Sequence, residues 1–283
     1  MGGRPRFRCD IRGRGSEISR AGYSGRVHSR FNTASLQEIL SQGNDLLDVP
    51  GVRILESSRN RIGEVFLPGP EGVRIPCILK EFRPRGIDKF KSALIRSKAC
   101  KAWRGSWTLV EAGVDTALPI AYLEKWSGLF LDHALFFALS VTDAPELRVL
   151  LRSHQEESLE SLIKMLAAFV RRCHGHGILH RDLSDGNVLV REEKPPNHGF
   201  VLLDTNRIRI NKKVGRIRGI KNLIRLGVPG RYQRLLLTAY LEPHPLSLGL
   251  WRWYRMNKSL FSGYMTFKAK LRIRDIVRKL RIQ

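Results

Sequence analysis

Acidic side chains are scarce in this sequence: 26 Asp and Glu stand against 50 Lys and Arg, a formal charge of +24. A surplus of that size implies an anionic partner, whether nucleic acid, an acidic membrane surface or a phosphorylated glycolipid. Charge alone does not choose among them. Cysteine is also sparse, and Cys9, Cys77, Cys100 and Cys173 form no C-x-x-C pair, which removes the support for a zinc ribbon or a redox motif. Cys77 and Cys173 stand in apolar segments and read as buried, reduced thiols. No apolar run approaches the roughly 20 residues that span a bilayer. The longest candidate, Leu129 to Val141, is interrupted by Asp132 and His133. The arginines near the N-terminus have no apolar stretch behind them, so they do not form a signal peptide, and a cytoplasmic location is expected.

What is present is a globular composition, 42% hydrophobic, with a clear order of elements. Residues 1–50 read as a basic leader, partly disordered, with Arg4, Arg6, Arg8, Arg12 and Arg14 among glycines and serines. Strands are predicted at Gly51–Glu56, Ile62–Leu67 and Val73–Phe82, separated by Ser57–Arg61 and by the turn-rich Pro68–Gly72. A helix follows over about Lys89–Ala112, with Trp103, Trp107 and Val110 at helical spacing and Gly113 as its stop. Pro119–Leu123 and Ala134–Val141 complete a βββαββ half. Beyond it, Leu159, Leu162, Ile163, Leu166, Phe169, Val170 and Cys173 make one continuous helical face, ended by Gly175 and Gly177. Short strands at Val188–Val190 and Phe200–Leu203 bracket a Pro-Pro-Asn-His turn. Helices are then predicted beyond Arg216, through Leu235–Leu241 and Ser259–Leu280.

The chemistry concentrates in His180-Arg181-Asp182-Leu183-Ser184-Asp185-Gly186-Asn187. Transfer of a phosphoryl group from ATP needs a carboxylate beside the acceptor hydroxyl, a divalent metal on the phosphates and a cation on the α/β-phosphates. Asp182 is the candidate base in the pattern H-R-D-x-x-x-x-N, and Asn187 follows at the spacing that returns an amide oxygen to a metal. Asp204, closing the apolar run Phe200–Leu203, is the candidate main metal ligand. Its carboxylate and the Asn187 amide are hard oxygen donors suited to Mg²⁺. Lys80, at the end of the third strand, is the candidate phosphate lysine; the plain alternative is a solvated strand-end lysine. His180 reads as a structural residue that orients the loop, and Arg181 as either a loop-ordering or a phosphate-contacting side chain.

Two features of protein kinases are missing. No G-x-G-x-x-G lies between the first two predicted strands, so phosphate contacts there fall to backbone amides and to Arg59 or Arg61. The helix after Lys80 has no mid-length glutamate. Ala102 stands near its expected place and Glu111 at the far end, which leaves Asp204 as a possible orienting partner for Lys80.

These residues together resemble the lipopolysaccharide kinase (Kdo/WaaP) family of the protein-kinase-like superfamily, over roughly Gly51 to Leu241. The resemblance rests on Ile78–Phe82, Glu111–Thr116, His180–Asn187 and Leu202–Arg207. It implies an α+β, bilobed protein-kinase-like fold: a small N-lobe at residues 51–141 with five antiparallel strands and one helix, and a mainly helical C-lobe at 142–283. It implies an ATP- and Mg²⁺-dependent enzyme that phosphorylates a Kdo or heptose hydroxyl of the lipopolysaccharide inner core. Asp182 and Lys80 are its implied catalytic residues, with Lys80, Thr142, Ala144, Asn187 and Asp204 on the nucleotide and Asn187 and Asp204 on the metal.

Other residues bear on the acceptor. Position 184 is Ser184, where protein kinases commonly carry lysine, and only about a dozen residues follow Asp204 before helical sequence resumes, with no A-P-E. That leaves little room for a peptide-docking segment. The basic run Arg207, Arg209, Lys212, Lys213, Arg216 fits the phosphates of a lipid A–core glycolipid. The C-terminal basic helix, Lys268 to Arg281, either lies on the anionic inner-membrane surface or packs its apolar face on the larger lobe. No nucleic acid is expected, since no aromatic-basic platform is evident. The competing readings are an atypical protein serine/threonine kinase and a non-catalytic pseudokinase.

Overall fold

The computed structural model of the chain describes residues 15–41, 46–49, 52–57, 60–69, 72–153, 156–192, 198–211 and 213–280. The fold is mixed α+β. The chain divides into two units, Met1–Ala144 with Val201–Arg209, and Pro145–Phe200 with Ile210–Gln283. A continuous second lobe from residue 142 was expected; instead Val201–Arg209, with Asp204 in it, clusters with the first unit.

The first unit is built on an antiparallel sheet of seven strands rather than the expected five. They are β1 (Ser16–Arg20), β2 (Tyr23–Val27), β3 (Arg53–Ser57), β4 (Arg61–Pro68), β5 (Arg74–Phe82), β6 (Pro119–Ser127) and β7 (Phe130–Leu139), in spatial order β1-β2-β6-β7-β5-β4-β3. The two additional strands come from the stretch expected to be leader. Ile18, Tyr23 and Val27 are buried there with charged or small residues between them, and β2 pairs with β6 along five residues. Their short alternation is diluted by Arg26, Ser24 and Gly25, which hid the strand signal in a run read as flexible. Residues 1–14 of that leader, and the turn residues Ser58 and Arg59, lie outside the described residues.

One core packs Val65, Leu67, Cys77, Leu79, Leu123, Leu135 and Phe137 with Leu36 and Leu40 of α1 (Ala34–Ser41). A second packs Phe82, Tyr122, Leu131 and Phe136 with Trp103 and Trp107. The long helix expected here is two helices, α2 (Ile87–Ser92) and α3 (Lys98–Glu111). Ser97 causes the break: its hydroxyl accepts from the Cys100 N–H at 2.9 Å, capping α3. Trp103 and Trp107 are buried as their spacing predicted, whereas Val110 is exposed. Gly113, with φ +63°, closes α3 through two back-bonds, Gly113 N–H to Val110 O and Val114 N–H to Leu109 O.

The second unit holds α4 (Leu147–Ser153), α5 (Glu156–Gly175), β8 (Ile178–His180), β9 (Val188–Glu192), α6 (Arg216–Leu223), α7 (Gln233–Leu241) and α8 (Leu248–Leu280). β10 (His198–Leu202) begins in this unit and ends in the first, and β11 (Ile208–Ile210) returns. All seven residues of the predicted α5 face are buried, each worth roughly 1.5–3 kcal/mol when it is a large aliphatic or aromatic side chain. Gly177, at φ +73°, turns the chain from α5 into β8. Burial pushes the thiols of Cys77 and Cys173 up to about 12, so both are inert at neutral pH. Among the described residues no helix is long and apolar enough to cross a membrane.

Candidate active site

In the second unit the octapeptide is a compact loop between β8 and β9. The Ser184 N–H bonds the Asp182 carbonyl at 2.8 Å, and the Asn187 N–H bonds the Ser184 carbonyl at 3.0 Å. The Asn187 side chain then donates from Nδ2 to the Asp182 carbonyl at 2.9 Å. That bond commits the amide nitrogen and leaves Oδ1, a hard donor, without a partner among the described residues. The Asp182 N–H donates to Nδ1 of buried His180 at 3.2 Å, so the His180 ring orients the backbone at Asp182. Asp182 is about a third exposed, and its Oδ1 accepts from Nη1 of Arg225.

A buried relay supports this loop from behind. Asn222 donates from Nδ2 to the His180 carbonyl at 2.8 Å, which makes its Oδ1 the acceptor for His174 Nε2 at 3.1 Å. The same proton assignment leaves His174 Nδ1 to accept from the Tyr240 hydroxyl at 2.7 Å. Burial pulls the His174 imidazole below its ordinary value, the Asn222 bond opposing, so it stays neutral at pH 7. Lys258 donates to the carbonyls of Ile224 and Leu226, both at 2.6 Å, and so pins the segment that carries Arg225. Burial lowers its pKa, with nearby Asp185 opposing. Arg148 approaches Asp185 at 3.7 Å.

In the first unit the structure brings together Lys80 and Asp204. Nζ of Lys80 lies 3.5 Å from Oδ1 of Asp204, and Arg207 Nε lies 3.7 Å from Oδ2. Asp204 is therefore a carboxylate in ion-pair range of Lys80, while Glu111 stands at the C-terminal end of α3. Asp204 has φ +51° and ψ 49°, a left-handed conformation that aspartate tolerates better than most residues. Thr205 fixes it: its hydroxyl donates to the Ala102 carbonyl at 3.0 Å and lies 2.9 Å from the Ser106 hydroxyl. A Cβ on Gly105 would collide with the Thr205 carbonyl, so glycine is what lets α3 approach this turn. Thr116 adds a bond to the Leu202 carbonyl at 2.7 Å.

The remaining expectations divide. Thr142 and Ala144 lie in the irregular segment between β7 and α4, around Asp143 at φ +56°; no hydrogen bond joins them to Lys80 or Asp204. Arg61 is held by Asp48 at 2.5 Å and Glu81 at 3.4 Å, which commits the guanidinium within the unit. Sequence reasoning missed Arg225, Asn222, His174 and Lys258. Each acts through tertiary contacts that no local motif signals.

Residues 88–233, just over half of the chain, match the family model described as the lipopolysaccharide kinase (Kdo/WaaP) family. The matched segment contains Asp182, Asn187 and Asp204 and excludes Lys80. A probable serine/threonine-protein kinase of Dictyostelium discoideum is 35% identical over 72 residues, 24% of this chain and 16% of that protein. The chain thus spans about a sixth of the curated relative it matches. Among solved structures, WaaP in complex with acyl carrier protein has a TM-score of 0.55 at 19% identity, covering 73% of this chain and 87% of that chain. That likeness concerns the fold.

Proposed function

The chain belongs to the lipopolysaccharide kinase (Kdo/WaaP) family, a family of phosphotransferases, and on that premise we propose that it moves the γ-phosphoryl group of ATP to a sugar hydroxyl, Kdo or heptose, of the lipopolysaccharide inner core. The observation that carries this reading is the Asp182 loop, with its base oriented by His180 and Asn187 folded back on it.

In the proposed reaction the acceptor oxygen attacks the γ-phosphorus while its proton passes to the Asp182 carboxylate, and ADP leaves. Lys80, held by Asp204, neutralises the α/β-phosphates. Asn187 Oδ1 and the Asp204 carboxylate suit Mg²⁺, which takes few protein ligands and bonds mainly to water and substrate phosphates. A divalent metal held by these oxygen donors would supply charge neutralisation on the transferring group. Arg225 beside Asp182 gives the base a cationic neighbour that also suits an anionic acceptor.

For the finer localisation, at the membrane surface, α8 supplies the support. Met256, Leu260, Tyr264, Phe267 and Leu271 are exposed at steps of three and four residues, one stripe of a helix that also carries Lys268 and Lys270. That combination supports docking at an anionic inner-membrane surface, where each adjacent basic residue adds about 1 kcal/mol. The proposal is tested by incubating the protein with labelled ATP, Mg²⁺ and lipid A–core. Label should appear on the sugar and fall by roughly 10²–10⁴-fold in Asp182→Asn at unchanged folding. Full activity in that variant would remove Asp182 from the mechanism, and label on protein substrates alone would move the acceptor to a polypeptide.

A further inference from the structure

The first unit contains a pocket to which the proposed phosphoryl transfer assigns no role. It encloses about 750 Å³, inside the roughly 300–1,000 Å³ of small-molecule sites. The end of β5, α2 and the start of α3 wall it, and neither Lys80 nor Asp204 lines it.

Its chemistry is one-sided. Seven lining side chains are cationic and two are carboxylates, Glu81 and Asp88. Glu81 is already committed inside the wall: it accepts from His133 Nε2 at 2.6 Å and from Arg83 Nε at 2.7 Å, with Arg61 at 3.4 Å. Burial pushes the Glu81 carboxyl up, but the His133 and Arg83 bonds outweigh it and hold the group below its ordinary value. Its charge is therefore present and spent. Arg85, Lys91, Arg96 and Lys98 also line the pocket and make no ion pair among the described residues. Nε of Arg96 is buried and has no hydrogen-bond partner among them. A buried guanidinium N–H without an acceptor is disfavoured, and the oxygen of an anion is its strongest complement.

Size and lining narrow the ligand. A lone phosphate ion would occupy a small part of this volume. Ile87 and Ile95 also line it, an apolar surface of the kind that receives the carbon face of a sugar ring. We propose that the pocket binds a phosphate-bearing saccharide, such as the phosphorylated headgroup of a glycolipid, at a site distinct from the Lys80–Asp204 pair. The inference does not depend on the role of Asp182.

Calorimetry on the full chain, without nucleotide or metal, tests it with glucose 6-phosphate as probe. Saturable binding is expected, with none for glucose, and Arg85→Glu/Lys98→Glu should weaken it at least tenfold. Arg85→Gln/Lys98→Gln serves if the charge reversal fails to fold, with circular dichroism confirming the fold. Asp182→Asn should bind as the wild type does, which separates this result from the fate of the kinase reading. Unchanged affinity in the folded pocket variants would overturn the proposal. So would inorganic phosphate binding as tightly as glucose 6-phosphate, which would make this a bare anion site. Displacement of the probe by ADP would reassign the pocket to the polyphosphate of the nucleotide.

Discussion

Gly105→Ala isolates the contact on which the Asp204 turn depends. Glycine within a helix is ordinarily a weakness, and replacing it with alanine gains about 1 kcal/mol. At Gly105 the new methyl would stand 2.9 Å from the Thr205 carbonyl carbon and 3.3 Å from Ile208 Cβ, and it would collide with the Thr205 oxygen. Overpacking of this kind costs about 1–3 kcal/mol. The helix gain offsets part of it, so the net expectation is a loss of up to about 2 kcal/mol. At roughly 2–4 °C per kcal/mol for a domain of this size, the melting temperature should fall by several degrees. Function should fall further than stability, because the displaced residue adjoins Asp204 and the strain acts on its distance to Lys80. A tenfold loss of transfer, about 1.4 kcal/mol of activation free energy, is the minimum expected, together with a smaller Mg·ATP-induced rise in melting temperature. Gly263→Ala is the control: a Cβ there meets nothing within 4 Å, so it should stabilise by about the ordinary helix gain. A Gly105→Ala protein that melts at or above the wild-type temperature and keeps its Mg·ATP response would refute the reasoning.

Arg225→Ala should change stability by no more than about 1 kcal/mol, since its pair with Asp182 is substantially exposed, yet lower turnover; Arg225→Lys should recover part of that loss, and equal rates in all three proteins would dismiss the contact. His174 gives a pH dependence of defined sign. Its folded pKa lies below the free value of 6.5, so the unfolded chain binds the proton first and stability is complete above about pH 6.5 and declines as pH falls towards the folded value. Denaturant midpoints measured from pH 7.5 to 5.5 should show that decline in the wild type and a flatter profile in His174→Gln. Leu260→Glu/Phe267→Glu should reduce sedimentation with anionic vesicles while leaving transfer to a detergent-dispersed acceptor intact, and undiminished sedimentation would count against membrane docking by α8.

Much of this architecture is legible because its signals are local. The α5 face repeats at helical spacing and is buried along its whole length, and the octapeptide folds on itself through bonds spanning two to five residues. Elements whose determinants are distant were read less well. β1 and β2 are strands largely because β2 pairs with β6, about a hundred residues later, and arginines at their open positions resemble a flexible leader. The division between α2 and α3 depends on one side-chain cap at Ser97, which is easily passed over within an otherwise helical pattern. Lys80 is legible as strand-borne, and the lack of a helix glutamate already points to Asp204 as its partner; what the fold adds is the 3.5 Å approach of the two. Arg225 and the Asn222–His174–Tyr240 relay carry no sequence mark, because histidine, asparagine and tyrosine become a relay only when helices α5, α6 and α7 bring them together.

The return of Val201–Arg209 to the first unit also orders events during synthesis. When Ala144 leaves the ribosome, the seven sheet strands are complete, but the Ala102 carbonyl, the Thr116 hydroxyl and the close face of Gly105 still await Leu202 and Thr205. Those residues arrive only after the intervening stretch has been translated. The nascent sheet therefore waits roughly 3–13 s, at about 5–20 residues per second, with the seat of Asp204 open to solvent and to other chains. A fragment ending at Ala144 would remain permanently in that state, so an excised N-terminal half is expected to be aggregation-prone unless the short return segment is supplied with it.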